Sequence, residues 1–262
     1  MWLLLVAVSV LGLAIGSFLN VVIHRVPAGQ SLVTPASRCP HCDAPIRARH
    51  NVPVLGWLVL RGRCADCAAP ISARYPLVEL LTGAAFLAVT WRLADLDRLA
   101  GLPAWLYFTA IAVALAAIDL DCHRLPNAIV LPSYPVLAVL LAGAALWQRD
   151  YAALIRVAVG GAALFAGYLA LALAYPKGMG FGDVKLAGLV GAVLGYLGWA
   201  ELVIGALAAF VLGGVVGIAV IASRRGTGKT ALPFGPFMLA AAGLALYLAR
   251  PIADAYLRLS GF

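Results

Sequence analysis

The sequence predicts an all-α protein, a polytopic membrane helical bundle of about eight transmembrane helices with a small cytoplasmic zinc-ribbon-like insertion. Three observations lead there. With 64% hydrophobic and 11% charged residues among 262, the chain has more apolar surface than one soluble core can bury. Its apolar residues fall into runs near the ~20 residues that a bilayer core requires. Only Val22 to Arg74 has the charge, proline and cysteine content of a separate module.

The runs are Met1 to Ile23, Tyr75 to Trp91, Leu102 to Ile118, Ala128 to Trp147, Tyr151 to Tyr175, Val184 to Trp199, Leu202 to Ala222 and Leu232 to Ala249. The first lacks a basic start and an Ala-x-Ala cleavage site, so it reads as a retained helix. The expected organisation is a first transmembrane helix over 1–23, a cytoplasmic tetracysteine module over 24–74 and a transmembrane catalytic bundle over 75–262. Glycines at 188, 191, 195, 213 and 217 are spaced as small residues that let helices approach closely.

An even number of crossings fixes the side of every loop, and the positive charges test the result. Thirteen of the 19 Lys and Arg residues fall on the loops Val22 to Arg74, Asp119 to Asn127, Pro176 to Lys185 and Ser223 to Ala231. The positive-inside rule then places these loops in the cytoplasm and both termini on the outer, periplasmic side. A net charge of +8 is explained by this retention and calls for no nucleic acid. The bilayer is the expected partner.

The strongest local signal is Cys39-Pro40-His41-Cys42, followed after 21 residues by Cys64-Ala65-Asp66-Cys67. Two such knuckles can each give two thiolates to one tetrahedral Zn2+, at a separation just beyond the usual range of about 15–20 residues. Four cysteines make a closed site, so the expected role is structural. Two redox pairs or disulfides are the competing reading. Arg38, Arg47, Arg61 and Arg63 are available to offset the negative cluster.

Polar residues inside the apolar runs concentrate at two places. Gly178-Met179-Gly180-Phe181-Gly182-Asp183-Val184-Lys185 interrupts the run from Tyr151 to Trp199, and Asp119 and Asp121 end the third run. An intramembrane carboxylate is expensive and marks a functional site unless a bland role explains it. Asp183 has such a role available as an N-cap, and Asp121 as a solvated helix end. Residues two apart on a helix point in nearly opposite directions, so only one of Asp119 and Asp121 can face a given site. Asp119 lies nearer the hydrocarbon. By loop parity Asp119 and Asp183 reach the same membrane face, where two close carboxylates can share one proton and divide the roles of acid and base. The glycines at 178, 180 and 182 then let a substrate backbone approach and allow dihedrals that other residues resist.

Here the chain resembles a known family. Gly180-Phe181-Gly182-Asp183 with Lys185 behind it is similar to the signature of the type IV prepilin peptidases, bacterial members of the Gly-x-Gly-Asp intramembrane aspartyl proteases. The likeness also takes in Gly16 to Pro27, the cysteine module with Asn51-Val52-Pro53 and Arg61-Gly62-Arg63-Cys64, Arg74 to Leu80, and the Asp119 segment ending in Leu125-Pro126-Asn127. The resemblance implies that Asp119 and Asp183 are catalytic; Gly180, Gly182, Lys185 and Asp121, in the same two segments, are the candidates for supporting them or binding substrate. It implies removal of a short basic leader from type IV prepilins or pseudopilins at the cytoplasmic face of the bacterial inner membrane. It also implies, for many members, methylation of the new N-terminus with S-adenosylmethionine. Asn20, His24, Arg25 and Glu79 become candidates for that second step by resemblance alone; unaided, His24 reads as an interfacial residue and Glu79 as a helix-end charge paired with an arginine. Two readings from other classes compete: an ion- or proton-coupled membrane transporter using the same aspartates, and a zinc-module assembly partner in which both are dispensable.

Overall fold

A computed structural model describes residues 1–176, 178–223 and 232–260. Most of the Ser223 to Ala231 loop, with three of the basic residues counted above, lies outside the described residues. The described chain is helical, with two isolated antiparallel bridges and no strand longer than these. The helices are α1 (Trp2–Arg25), α2 (Leu55–Val59), α3 (Arg74–Asp95), α4 (Leu102–Cys122), α5 (Asn127–Trp147), α6 (Tyr151–Ala174), α7 (Phe181–Leu197), α8 (Trp199–Ala222) and α9 (Gly235–Leu259). Seven of the long helices have the length and composition to cross a membrane. The eighth, α7, has 17 residues and is the most deeply buried, with twelve of them enclosed from Val184 to Leu197. A helix wrapped in protein can end short of a bilayer surface because its terminal amides face protein rather than lipid.

The chain divides into two compact units, residues 1–91 with 109–114, and residues 92–108 with 115–262. In the first, α1 lies close against α3. A Cβ on Gly12 would come within 2.8 Å of the Gly83 Cα, and one on Gly16 within 2.7 Å of the Glu79 Cα. In the second, α6 and α7 meet along glycines: a Cβ on Gly160 would lie 2.6 Å from the Gly191 carbonyl oxygen and one on Gly161 3.2 Å from that of Gly188. The expected packing role of Gly188 and Gly191 therefore holds. A Cβ on Gly213 would come within 3.0 Å of the Phe234 ring, while one on Gly217 would make only ordinary contact with Leu232, at 3.7 Å.

Several helices outrun their apolar runs, and in α3 and α9 an ionisable residue has found a partner. α3 continues past Trp91 because Arg92 pairs with Asp95, donates to the Leu246 carbonyl at 3.0 Å and lies over the Tyr247 ring. α9 continues past Ala249 because Arg250 meets the buried Glu201 at 3.2 Å. Paired and hydrogen-bonded, such charges escape most of the penalty that ended the runs on paper. At the α5–α6 connection, Asp150 caps α6 through Ala153 and pairs with Arg98 at 2.7 Å and Arg156 at 3.0 Å. Arg98, then Arg156, hold its carboxyl below the usual carboxylate range against the opposing effect of burial.

Candidate functional site

In the first unit the two Cys-x-x-Cys segments adopt the same backbone twice. The Cys39 amide donates to the Ala44 carbonyl at 3.0 Å and that of Cys64 to Ala69 at 2.8 Å; Asp43 donates back to Cys39 at 2.9 Å and Ala68 to Cys64 at 3.0 Å. Asp43 and Ala68 both sit at a φ of 57°, and short bridges, Arg38 to Pro45 and Arg63 to Pro70, close each knuckle. Each tight turn presents two sulfurs inward. All four sulfurs lie within 4.8 Å of one another, with Cys39 and Cys67 at 3.8 Å and Cys42 and Cys64 at 4.0 Å. Those separations are far beyond a disulfide bond of about 2.05 Å, and all four cysteines are free thiols, so no disulfide joins the knuckles here. The set can hold a metal ion. The backbone amides of His41 and Cys42, the former first, hold the Cys39 thiol down to about 6; against the backbone amides of Ala44 and Ala69, the crowding of neighbouring sulfurs and burial push the Cys42 thiol up to about 12 and raise that of Cys67. Arg47 of one knuckle pairs with Asp66 of the other at 2.9 Å, and Arg38 with Asp43 at 2.8 Å.

Beside the knuckles, the same unit holds a cavity of about 440 Å3 lined among others by Asn20, His24, His50, Trp57, Tyr75 and Glu79. Its wall contains an unusual turn. Val54 has φ 62° and ψ −50°, and the Leu55 amide donates to the Pro53 carbonyl at 2.6 Å, which is the strained form of a three-residue turn. A β-branched residue resists this conformation. The Val54 amide donates to the Glu79 carboxylate at 2.6 Å, and Glu79 is 8% exposed. Glu79 is therefore a buried acceptor that steadies a strained turn on the cavity wall, where sequence reasoning made it a helix-end charge.

In the second unit three helix termini converge. Asp119, 5% exposed, stands one turn before the end of α4, which His123 closes in the left-handed conformation by donating to the Asp119 carbonyl at 2.9 Å. Asp121 is exposed, as the helix geometry requires of a residue two positions on. Asp183 lies in the first turn of α7, whose N-cap is Gly180, so it is not the cap it could have been. Asp119 and Asp183 are within electrostatic reach of each other.

The third terminus was not anticipated. The Gly235 amide, first in α9, donates to Asp119 Oδ2 at 3.1 Å, and a Cβ on Gly235 would come within 2.7 Å of that oxygen. The positive end of α9 thus faces a carboxylate. Leu125 fills the space beside it, 3.1 Å from a Cβ on Gly182 and 3.4 Å from one on Gly235. Buried Tyr168 of α6 is within electrostatic reach of Asp183 and stacks obliquely with Phe210 and Phe234 at centroid distances of 5.4 and 6.1 Å. Pro233-Phe234-Gly235-Pro236 carried a legible helix-start signal in its glycine and N-terminal proline; nothing local tied it to an acid 116 residues earlier. At Gly180 the expected special dihedrals are absent, since φ −76° and ψ 144° suit any residue. What these glycines supply is space, at Gly180 beside Asp183 Oδ2 and at Gly182 beside Leu125.

The fold and site define a class: a multi-pass helical membrane protein that brings two carboxylates to the ends of neighbouring helices, an arrangement suited to acid–base hydrolysis within a membrane. The comparisons give the family. Residues 10–93 match the bacterial peptidase A24 N-terminal domain and residues 106–218 the type IV leader peptidase family. The chain is 38% identical over 273 residues to a prepilin leader peptidase/N-methyltransferase of Stutzerimonas stutzeri, covering 95% of this chain and 92% of the relative. It is 39% identical over 295 residues to one from Aeromonas hydrophila, covering 98% and 94%, and 34% identical to one from Pseudomonas aeruginosa, covering 96% and 93%. No solved structure matches significantly. The chain belongs to the type IV leader peptidase family, and it is a membrane peptidase of prepilin processing. The transporter reading finds no support among these relatives.

Proposed function

We propose that Asp119 and Asp183 are the acid–base pair of the peptidase. The observation that carries this reading is their convergence from α4 and α7, with the Gly235 amide fixing one oxygen of Asp119. Two carboxylates brought within a few ångströms of each other can hold one proton between them. The ionised member takes a proton from water as the water oxygen adds to the scissile carbonyl carbon. The protonated member donates to the carbonyl oxygen, and collapse of the tetrahedral adduct returns a proton to the departing amine. The substrates are prepilin or pseudopilin precursors, whose apolar segment stays in the bilayer while the basic leader is cut off on the cytoplasmic side. The distribution of Lys and Arg supports that side, with both termini outside, in the inner membrane.

The metal of the cysteine centre is Zn2+ in a structural role. A tetrahedron with Zn–S bonds of about 2.3 Å has edges of about 3.8 Å, in keeping with sulfurs at 3.8 and 4.0 Å. Four thiolates leave no open position for chemistry.

The relatives' names include N-methyltransferase, and the 440 Å3 cavity has the size of a small-molecule site. S-adenosylmethionine fits its lining. Trp57 and Tyr75 offer aromatic faces, Glu79 a carboxylate for the sulfonium cation, and Asn20 and Asn51 donors and acceptors for a purine edge. The bound donor would supply an activated methyl group.

The test uses the purified full-length chain in detergent with a synthetic precursor spanning the leader junction. Leader release without any ion gradient is expected, and added methyl-labelled S-adenosylmethionine should label only the mature product. Gradient-dependent ion flux with no cleavage would overturn the peptidase reading in favour of transport.

A further inference from the structure

The acid pair leaves Lys185 unexplained. At about 100° per residue, two positions place it some 200° around α7 from Asp183, so it faces away from the pair. Its ammonium group donates to Asn127 Oδ1 at 2.7 Å and lies 5.0 Å from the Phe181 ring centroid. Its peptide carbonyl accepts from the Tyr134 hydroxyl at 2.6 Å. Asn127 and Tyr134 both belong to α5, one at its first residue and the other two turns on. One helix therefore grips the start of α7 at two points. The grip is built in: a Cβ on Gly188 would overlap the Tyr134 hydroxyl, so the ring reaches the α7 backbone only across a glycine.

What this grip connects is informative. Asn127 follows the Asp119 helix after the short His123 to Pro126 connection, and Lys185 sits two residues beyond Asp183. Leu125 of that connection already packs on Gly182 and against Gly235. The side-chain bond thus ties the segment bearing one carboxylate to the helix turn bearing the other. A lysine–asparagine bond at an exposed position adds little stability, so stability does not account for it.

We propose that Lys185 is a positioning residue: through Asn127, with Tyr134 holding its carbonyl, it sets the approach of Asp183 to Asp119. The proposal rests on the reading of those aspartates as the catalytic pair. A displacement of about 1 Å at reacting groups can cost on the order of 100-fold in rate.

The experiment measures kcat and KM of the full chain in nanodiscs on the synthetic precursor, with thermal stability alongside. Lys185→Met and Asn127→Ala should each lower kcat by about 10–100-fold with KM and stability unchanged. The double variant should fall no further than the worse single, because both break one bond. Lys185→Arg, which keeps a donor, should recover much of the rate, and Tyr134→Phe should show a smaller loss of the same kind. Four results would overturn the proposal: full kcat in Lys185→Met, a rise in KM alone (direct substrate contact), a loss that tracks lowered stability, or a loss in Lys185→Met that Asn127→Ala does not share (a charge effect). Asp183→Asn distinguishes this failure from that of the underlying reading. If it remains active, the acid-pair assignment fails; if it is inactive while Lys185→Met is not, only the positioning role fails.

Discussion

In the first unit, four thiols are delivered by two turns whose own backbones fix them, Cys39 to Ala44 and Cys64 to Ala69. In the second, two carboxylates are held by α4, α7, α9 and a leucine from a connection, drawn from residues 119 to 235. The first centre is closed and stapled by local hydrogen bonds; the second exists only while distant helix ends stay in register. The contrast teaches that a four-thiol set can be specified within a dozen residues of each knuckle, whereas this carboxylate pair draws its members from separate helices. On one helix, carboxylates at the spacing of Asp119 and Asp121 diverge.

This contrast can be broken in order of expected effect. If the proposed Zn2+ occupies the four thiols, a strong chelator should be the largest perturbation, since structural zinc contributes about 10–16 kcal/mol in small zinc modules. Amide exchange over residues 38–46 and 63–70 should rise by orders of magnitude while helix content in circular dichroism stays nearly constant. Unaltered protection would show that the knuckles close without metal. Next in size, Asp119→Asn and Asp183→Asn should each lower kcat by about 1,000-fold or more with insertion retained, since each removes an acid–base group. Asp121→Asn should stay within about threefold in the same leader-release assay. Activity in Asp119→Asn with none in Asp121→Asn would move the acid to the exposed helix end.

The smallest effect sharpens the comparison most. Gly235→Ala places a methyl group 2.7 Å from Asp119 Oδ2, so the carboxylate must turn away from the amide it accepts from. A fall in kcat of about 10–100-fold is expected. Gly243→Ala on the same helix meets nothing within 4 Å and serves as the control for helix propensity. Equal rates in the two variants would remove α9 from the site.

Much of this was legible because the signals are local. The cysteine spacing announced a four-ligand set, the runs announced the helices, and the glycine-rich break marked Asp183. Helix ends were misjudged where charges found partners: Arg92 with Asp95 and Leu246, and Arg250 with Glu201, carry α3 and α9 beyond their apolar runs. The resemblance pointed to Glu79, yet its partner, the amide of Val54 in a strained turn, could not be read from side-chain chemistry. Gly235 went unnoticed, and Leu125 figured only as part of a motif with no contact assigned, because glycine and leucine in an apolar chain carry no chemical label.

By itself the sequence determined the class of fold, a four-cysteine set that could hold a metal and the two segments that carry acids, because hydrophobic length, thiol spacing and the cost of an intramembrane carboxylate are properties of short stretches. The tertiary structure alone decided which amide meets Asp119, which side chain occupies the space beside Gly182 and which helix grips Lys185. Those contacts join residues 51 to 116 positions apart, and the close approach of helix ends that creates them depends on packing across the whole unit.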